Sequence, residues 1–145
     1  MIVEFSNYYF TPPWMDEPLL KNINLEIEEG SMTVILGDAR SGNQYLVKSL
    51  NGLVPEETGG DTKGDVIVDG LKVSDTPIEE LATHIVMLLE NPVTQIVSYT
   101  VEGDVGFGPS NLGFDTEQIL RRVDEALKAT RLKGFEKRNP RTLSG

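Results

Sequence analysis

An apolar run leading into a loop with two spaced glycines is the feature that most constrains the fold of this chain. Residues 32–36 form the run, and Gly37 and Gly42 stand five positions apart in the loop that follows. A continuous apolar run is typical of a strand buried on both faces, as in a parallel sheet. Beyond the loop, the apolar side chains of residues 43–53 fall on one helical face. The order of strand, loop and helix therefore predicts an α/β fold.

The loop matches the layout G-x-x-x-x-G-K-S/T of a phosphate-binding loop, with two changes of chemistry. Asn43 stands where that layout has lysine, and Gln44 stands where it has serine or threonine. The lysine supplies a positive charge to the phosphates and the hydroxyl is a ligand of Mg²⁺, so both contributions are lost. We predict a nucleotide site made of one stretch of chain and one aromatic side chain: Gly37, Asp38, Ala39, Arg40, Ser41, Gly42, Asn43, Gln44, Tyr45 and Trp14.

Two interpretations of this loop remain open. In the first, the backbone N–H groups of residues 41–45 bind a phosphate at a helix N-terminus, and Arg40 partly replaces the missing cation. In the second, the loop is empty and only connects a strand to a helix, an interpretation that the negative charge of Asp38 favours. The aromatic residues have the same ambiguity, because Trp14 or Phe10 either stacks on adenine or packs beside the neighbouring prolines.

The rest of the chain mixes strand and helix patterns. Strands are predicted at residues 2–5, 19–27, 65–69 and 71–73, and a second buried strand at residues 85–89. Residues 8–14 and 55–64 are predicted to be loops. A short helix is predicted to begin at Thr76 and Pro77, and Asp115 is predicted to cap a helix over residues 116–129. His84 is interpreted as a polar boundary residue. The predicted fold is α/β with an antiparallel β element at the front.

Composition excludes several classes of function. The net charge of −10 argues against nonspecific binding of nucleic acid, which depends on neutralising phosphates. The chain has no cysteine and one histidine, so we expect neither disulfides nor a metal site. No apolar run approaches the roughly 18 residues of a membrane span, and the N-terminus lacks a signal pattern, so a cytoplasmic location is predicted.

Several further segments carry a family resemblance. They are residues 51–55, 64–70, 91–96 and 100–113, together with the tripeptide Leu143, Ser144 and Gly145 after the sequence Arg138-Asn139-Pro140. In this order, and with the loop at residues 37–44, the whole chain resembles the N-terminal half of an ABC-transporter ATPase. The resemblance is strongest to the energy-coupling-factor or cobalt-importer type.

The resemblance implies a truncated P-loop NTPase core over residues 1–145, with the start of the helical subdomain. Leu143, Ser144 and Gly145 correspond to the start of the LSGGQ signature, in which the chain ends. Glu90 falls at the position of the family's glutamine loop, where its carboxylate either holds a metal or is a solvated acid at a strand end. The family's later catalytic residues have no counterpart here, so no catalytic residue is expected.

The resemblance also implies ligands and partners. The expected ligands are ATP and Mg²⁺, and the expected partners are a transmembrane transporter subunit and a second ATP-binding subunit. Such a subunit works at the inner face of the cell membrane. An open edge at residues 32–36 further predicts a homo-oligomer, because an unpaired strand is a template for pairing.

Three functions stay open. The chain is an ATP-binding subunit, or fragment, of an importer of a metal ion or vitamin with impaired nucleotide chemistry. Alternatively, it is a non-catalytic scaffold subunit that docks on the membrane component through the segment of residues 95–112. In the third interpretation it is a truncated, inactive product.

Overall fold

The structure, a computed structural model, describes residues 2–144, which divide into two compact units. The first unit extends to Met87 and the second begins at Leu88. Each unit has its own cluster of buried apolar side chains. The chain is a mixed α/β protein, as predicted.

A four-stranded antiparallel sheet forms the body of the first unit, in the order β2-β1-β3-β4. Its strands are β1 (Val3–Thr11), β2 (Leu20–Ile27), β3 (Asp61–Val68) and β4 (Leu71–Lys72). The predicted antiparallel element is therefore confirmed. Both β1 and β3 are longer than predicted and take in part of the segments that were expected to be loops, because each pairs with a neighbour along most of its length.

A bulge in β1 brings four large side chains onto one face of the sheet. Val3 and Phe5 are buried, and so are Tyr8 and Phe10, so the buried positions change from odd to even. The pairing with both neighbouring strands shifts in this region, and Asn7 has a φ of 47°. Because a bulge adds one residue to a strand, it reverses which face the following side chains point to. All four side chains thereby enter the core of the first unit.

Short helices cover part of this unit. They are α1 (Asn43–Lys48), α2 (Leu53–Glu56) and α3 (Ile78–Leu81), with 3₁₀ turns at Ser49–Asn51 and Val73–Asp75. The helix predicted over residues 43–53 is thus interrupted, because Gly52 adopts a φ of 78°. Leu46 of α1 is buried in the core. Pro77 precedes α3 as its N-cap residue and is not its first helical residue.

The two apolar runs predicted as buried strands are not strands, and none of their residues is fully buried. Residues 32–36 and 85–89 are extended without regular pairing to any strand among residues 2–144. Met32 and Val86 are both 93% exposed, and Leu36 and Leu88 are also largely exposed. A strand needs ladder hydrogen bonds to a neighbour, and burial needs a covering layer. An apolar pattern supplies neither, and the prediction was wrong for both segments.

The second unit is a pair of helices, α4 (Val101–Asn111) and α5 (Thr116–Ala129). Val101, Val123 and Leu127 form its buried cluster. The prediction for α5 is confirmed, since Asp115 accepts from the Gln118 backbone N–H at 2.8 Å in a capping box. No helix among residues 2–144 is long and apolar enough to span a lipid bilayer.

Candidate functional site

The glycine-spaced loop of residues 37–44 joins the extended segment of residues 32–36 to helix α1. Gly42 ends the loop with a left-handed φ of 87°, and its carbonyl accepts from the N–H groups of Tyr45 and Leu46 at 2.9 and 3.0 Å. A Cβ added at Gly42 would lie 3.0 to 3.3 Å from the side chains of Leu19 and Leu20. Its φ therefore favours glycine, and the two leucine side chains leave little room for a side chain at this position, so the loop packs against the start of β2.

A turn within the loop orders its first half. Ser41 donates to the carbonyl of Asp38 through its backbone N–H at 3.0 Å and through its hydroxyl at 2.7 Å. The backbone N–H groups of residues 42–44 have no hydrogen-bond partner within the described part of the chain. The loop can therefore donate backbone hydrogen bonds to an anion without breaking existing ones.

The side chain of Asn43 folds back over the loop. Its amide nitrogen lies 2.9 Å from the position that a Cβ on Gly37 would occupy. A side chain at position 43 is therefore directed across the loop and not toward bulk solvent. The amide offers hydrogen-bond donors at this place, but no charge.

The charged groups of the loop are exposed. Asp38 and Arg40 both lie on the surface, and neither forms an ion pair within residues 2–144. Ala39 and Gln44 are exposed as well. The loop thus carries one negative and one free positive side chain, and its own net charge is zero.

An aromatic row lies beside α1. The ring centroid of Tyr45 lies 5.2 Å from the ring centroid of Phe10 and 6.3 Å from that of Trp14. Phe10 is completely buried, so of the two interpretations left open for it the structure supports packing and not stacking on a ligand. Trp14 is 65% exposed and keeps a free face next to the loop helix. The structure thus places Trp14 beside Tyr45, and both are residues of the predicted nucleotide site.

A buried hydroxyl pair ties β1 to the segment after α1. Tyr8 Oη lies 2.7 Å from Ser49 Oγ, and Ser49 also donates to the carbonyl of Tyr45 at 2.7 Å. Burial raises the pKa of Tyr8, an effect that the hydrogen bond to Ser49 partly offsets. This pair was not predicted, because the pattern of residues 8–14 indicated a loop and not a strand at Tyr8.

The remaining predicted site residues belong to the second unit. Glu90 is exposed and forms no ion pair among the described residues. Leu143 packs against the apolar cluster of this unit, and Ser144 is exposed. Gly145 lies outside the described residues. Within residues 2–144, no group of three or more histidine, aspartate or glutamate side chains is arranged to hold a metal ion.

The segment of residues 93–99 in the second unit is held against α4. Asp104 accepts from the N–H groups of Val97 and Ser98 at 2.8 and 3.0 Å, and Arg141 donates to the carbonyl of Ile96 at 3.2 Å. These bonds fix the backbone while the apolar side chains stay outside, with Tyr99 86% exposed.

Comparison with known proteins gives consistent matches. The family described as ABC transporter matches residues 20–145. A putative ABC transporter ATP-binding protein of Methanosarcina mazei is 38% identical over 144 residues, covering 99% of this chain and 24% of that protein. One from Pyrococcus furiosus is 39% identical over 146 residues, covering 99% of this chain and 53% of that protein. The chain thus spans between about a quarter and about half of the length of these relatives.

Solved structures show the same fold. The chain superposes on cbiO1 of Clostridium perfringens, part of the ABC transporter complex cbiONQ, with a TM-score of 0.82 and 27% identity over 99% of this chain and 55% of that one. An ATP-binding cassette solved as a dimer with ADP and phosphate gives a TM-score of 0.75 at 24% identity, with 99% of this chain and 63% of that one covered. At that identity, the second likeness concerns the fold alone.

Proposed function

Since this chain belongs to the ABC transporter family, we propose that it is a nucleotide-binding part of a transporter that holds ATP through the backbone of residues 37–44. The observation that carries the proposal is the loop itself. Gly42 keeps the left-handed turn that such a loop needs, and the N–H groups of residues 42–44 are free to donate. These features bind phosphate oxygens without help from a side-chain charge.

Nucleotide chemistry is impaired in this proposal. Asn43 and Gln44 supply neither the positive charge nor the hydroxyl that the loop layout requires. The loop offers no side-chain hydroxyl to a magnesium ion either, since Gln44 stands where the layout has serine or threonine. Mg²⁺ is therefore expected to arrive bound to the nucleotide. We expect weak ATP binding and no steady hydrolysis by this chain.

The side chains around the loop have distinct roles in binding. Trp14 presents an exposed ring beside α1, on which an adenine base stacks. Arg40 is an unpaired cation near the phosphates, whereas Asp38 opposes them. Glu90 and the signature residues Leu143 and Ser144 belong to the second unit, and a role for them at a nucleotide remains part of the family expectation.

The transporter type and partners are proposed from the likeness to cbiO1. That protein is part of a transporter complex. By analogy, we propose that this chain serves the import of a metal ion or vitamin. Its proposed partners are a transmembrane subunit and a second ATP-binding subunit, which can be another copy of this chain. Assembly with the membrane partner would place the chain at the inner face of the cell membrane.

A calorimetric titration with Mg-ATP tests the proposal, with Trp14 fluorescence as a second reporter. Losing a loop charge worth roughly 1.4 kcal/mol after screening weakens a micromolar site about tenfold, to about 10 μM. We expect that affinity, quenching of Trp14, and a weaker affinity for Arg40→Gln. Arg131→Gln is the matched control, because Arg131 is an exposed arginine of the second unit without an ion pair among the described residues. No heat and no quenching at about 5 mM nucleotide would refute nucleotide binding.

A scaffold function without turnover is the second candidate. The segment of residues 93–99 favours it, since three apolar side chains are exposed on a backbone fixed by Asp104 and Arg141: Val93, Val97 and Tyr99. Exposed apolar groups on a rigid support are typical of a protein contact. Binding to the membrane subunit in the absence of nucleotide, lost in Tyr99→Ser, would support this function.

A further inference from the structure

A solvent-open cavity of about 480 Å³ lies in the first unit, apart from the glycine-spaced loop. Its walls come from β1, β3, the segment of residues 49–56 and the segment of residues 73–79. The volume falls within the range of small-molecule sites, which is about 300 to 1,000 Å³. Apolar side chains form much of the wall, among them Val54, Val66 and Ile78.

The buried hydroxyl pair in this cavity offers an acceptor to a ligand. Ser49 has one hydroxyl proton, and it donates that proton to the carbonyl of Tyr45. A carbonyl can only accept, so in the 2.7 Å bond between Tyr8 and Ser49 the proton comes from Tyr8. Tyr8 is a lining residue whose hydroxyl proton is already committed, so the lone pair that remains on Oη can only accept.

Two further hydroxyls of the lining are committed in the same way. Ser74 donates to the carboxylate of Asp75 at 2.7 Å, and Thr76 donates to the carbonyl of Lys72 at 2.8 Å. Both can therefore only accept from a ligand. Four of the five lining hydroxyls have given their protons to the protein, and the fifth belongs to Thr62. Through its hydroxyls the cavity is thus mainly a hydrogen-bond acceptor.

The charges of the lining have one sign. Glu56 and Glu79 are the acidic residues of the lining, both are exposed at its solvent-open side, and no lysine, arginine or histidine joins them there. Neither carboxylate forms an ion pair within residues 2–144. A ligand complementary to this lining carries N–H donors and a positive charge on an apolar body.

We propose that this cavity binds a small primary ammonium ion with an apolar body. Its N–H groups are directed to Tyr8 Oη and to the carboxylates of Glu56 and Glu79, while its carbon chain packs against Val54 and Val66. The site is separate from the proposed nucleotide site, and its binding requires no ATP.

The test titrates the full chain with n-butylammonium and follows backbone amide shifts by NMR without nucleotide. Butan-1-ol and butanoate are the neutral and anionic counterparts of the probe. A ligand of this size is expected to bind with a dissociation constant of about 1 to 10 mM and to shift amides around Gly52 and Gly64. Butan-1-ol and butanoate are expected to bind at least about fivefold more weakly.

Two double variants test whether the carboxylates of Glu56 and Glu79 bind the ammonium group. Glu56→Gln with Glu79→Gln removes both lining carboxylates, and Glu57→Gln with Glu80→Gln makes the same change at the adjacent positions, which do not line the cavity. We expect the first variant to weaken butylammonium binding about fivefold to tenfold and the second by less than about twofold. Equal losses in both variants, equal binding of butan-1-ol, or no saturable shift by about 50 mM would each overturn the proposal.

Discussion

Replacing Asn43 by lysine is expected to strengthen Mg-ATP binding about tenfold. The amide of Asn43 already folds back over the loop, 2.9 Å from the Cβ position of Gly37. A lysine that starts from the same Cα follows that path and extends further, so its ammonium group reaches the loop opening, where the phosphates of the proposed complex lie. The substitution thus adds a charge to an existing path and needs no change of the loop backbone.

The magnitude follows from the position of the new charge. One pair of unit charges about 4 Å apart is worth roughly 4 kcal/mol at an effective dielectric of 20. Asn43 is half-buried, and Asp38, Arg40 and Ser41 around it are exposed, so solvent screens much of this attraction. We reduce the gain to about one third, roughly 1.4 kcal/mol, which corresponds to a tenfold change in the dissociation constant.

Calorimetric titration of Mg-ATP measures the gain, and Trp14 fluorescence reports it independently. Asn111→Lys is the matched control, because it makes the same substitution at an exposed position of α4 and changes the net charge of −10 by the same unit. The reasoning is refuted if Asn43→Lys changes the affinity by less than about twofold, or if Asn111→Lys gives an equal gain.

Three further predictions concern stability and association. Tyr8→Phe removes the buried hydrogen bond to Ser49 and should lower the free energy of unfolding by about 1 kcal/mol in urea denaturation; an unchanged midpoint would contradict it. Hydrogen bonds from Lys128 and Lys133 hold the pKa of Asp124 below its ordinary value of 3.8. The stability that ionised Asp124 contributes is therefore present above about pH 4 and is lost as the pH falls through its folded-state pKa, so Asp124→Asn should reduce the dependence of the melting temperature on pH in this range. Parallel pH profiles of the melting temperature for the variant and the original chain would exclude this role. Self-association remains a prediction, and Val34→Asp with Leu36→Asp should reduce the mass measured by light scattering; an associated chain whose mass did not change would rule out this surface.

The sequence predicted correctly those elements whose conformation depends on residues close together in the chain. Asp115 and Gln118 close a capping box, and the apolar spacing that follows belongs to a helix that buries Val123 and Leu127. Asp69 and Gly70 both have positive φ in the turn between β3 and β4, as expected for that dipeptide. In each case neighbouring residues determine the conformation, so the sequence contains the necessary information.

Helix α4 was not predicted, because its composition opposes it. Gly103, Gly106 and Gly108 are poor helix formers, and Pro109 lies inside the helix. Its stability comes from contacts that are distant in sequence. The N–H groups of Val101 and Glu102 donate to the carbonyls of residues 138 and 136, both at 3.0 Å, and Val101 is buried in one cluster with Val123 and Leu127 of α5.

The strand prediction for the two apolar runs was wrong for the opposite reason, since their composition favours an element that the structure does not form. Residues 32–36 and 85–89 have the composition of buried strands, but burial depends on what surrounds a segment. Among residues 2–144, no strand pairs with either run, so most of their large side chains stay exposed, and Ile35 and Ile85 are only partly covered by the core. Hydrophobic pattern predicts which segments tend to be covered, and tertiary structure decides whether they are.

In the candidate site, the residues that fix the backbone path of the loop are not the residues that would supply its chemical groups. Packing of Gly42 against Leu19 and Leu20 fixes the path, and none of these three residues supplies charge or a metal ligand. Chemistry depends on positions 43 and 44, whose side chains can change without disturbing that packing. A chain with this arrangement can therefore lose the groups needed for hydrolysis and still present backbone donors to phosphate. For this reason the affinity of the Asn43→Lys variant, and not its turnover, is the quantity that tests the argument.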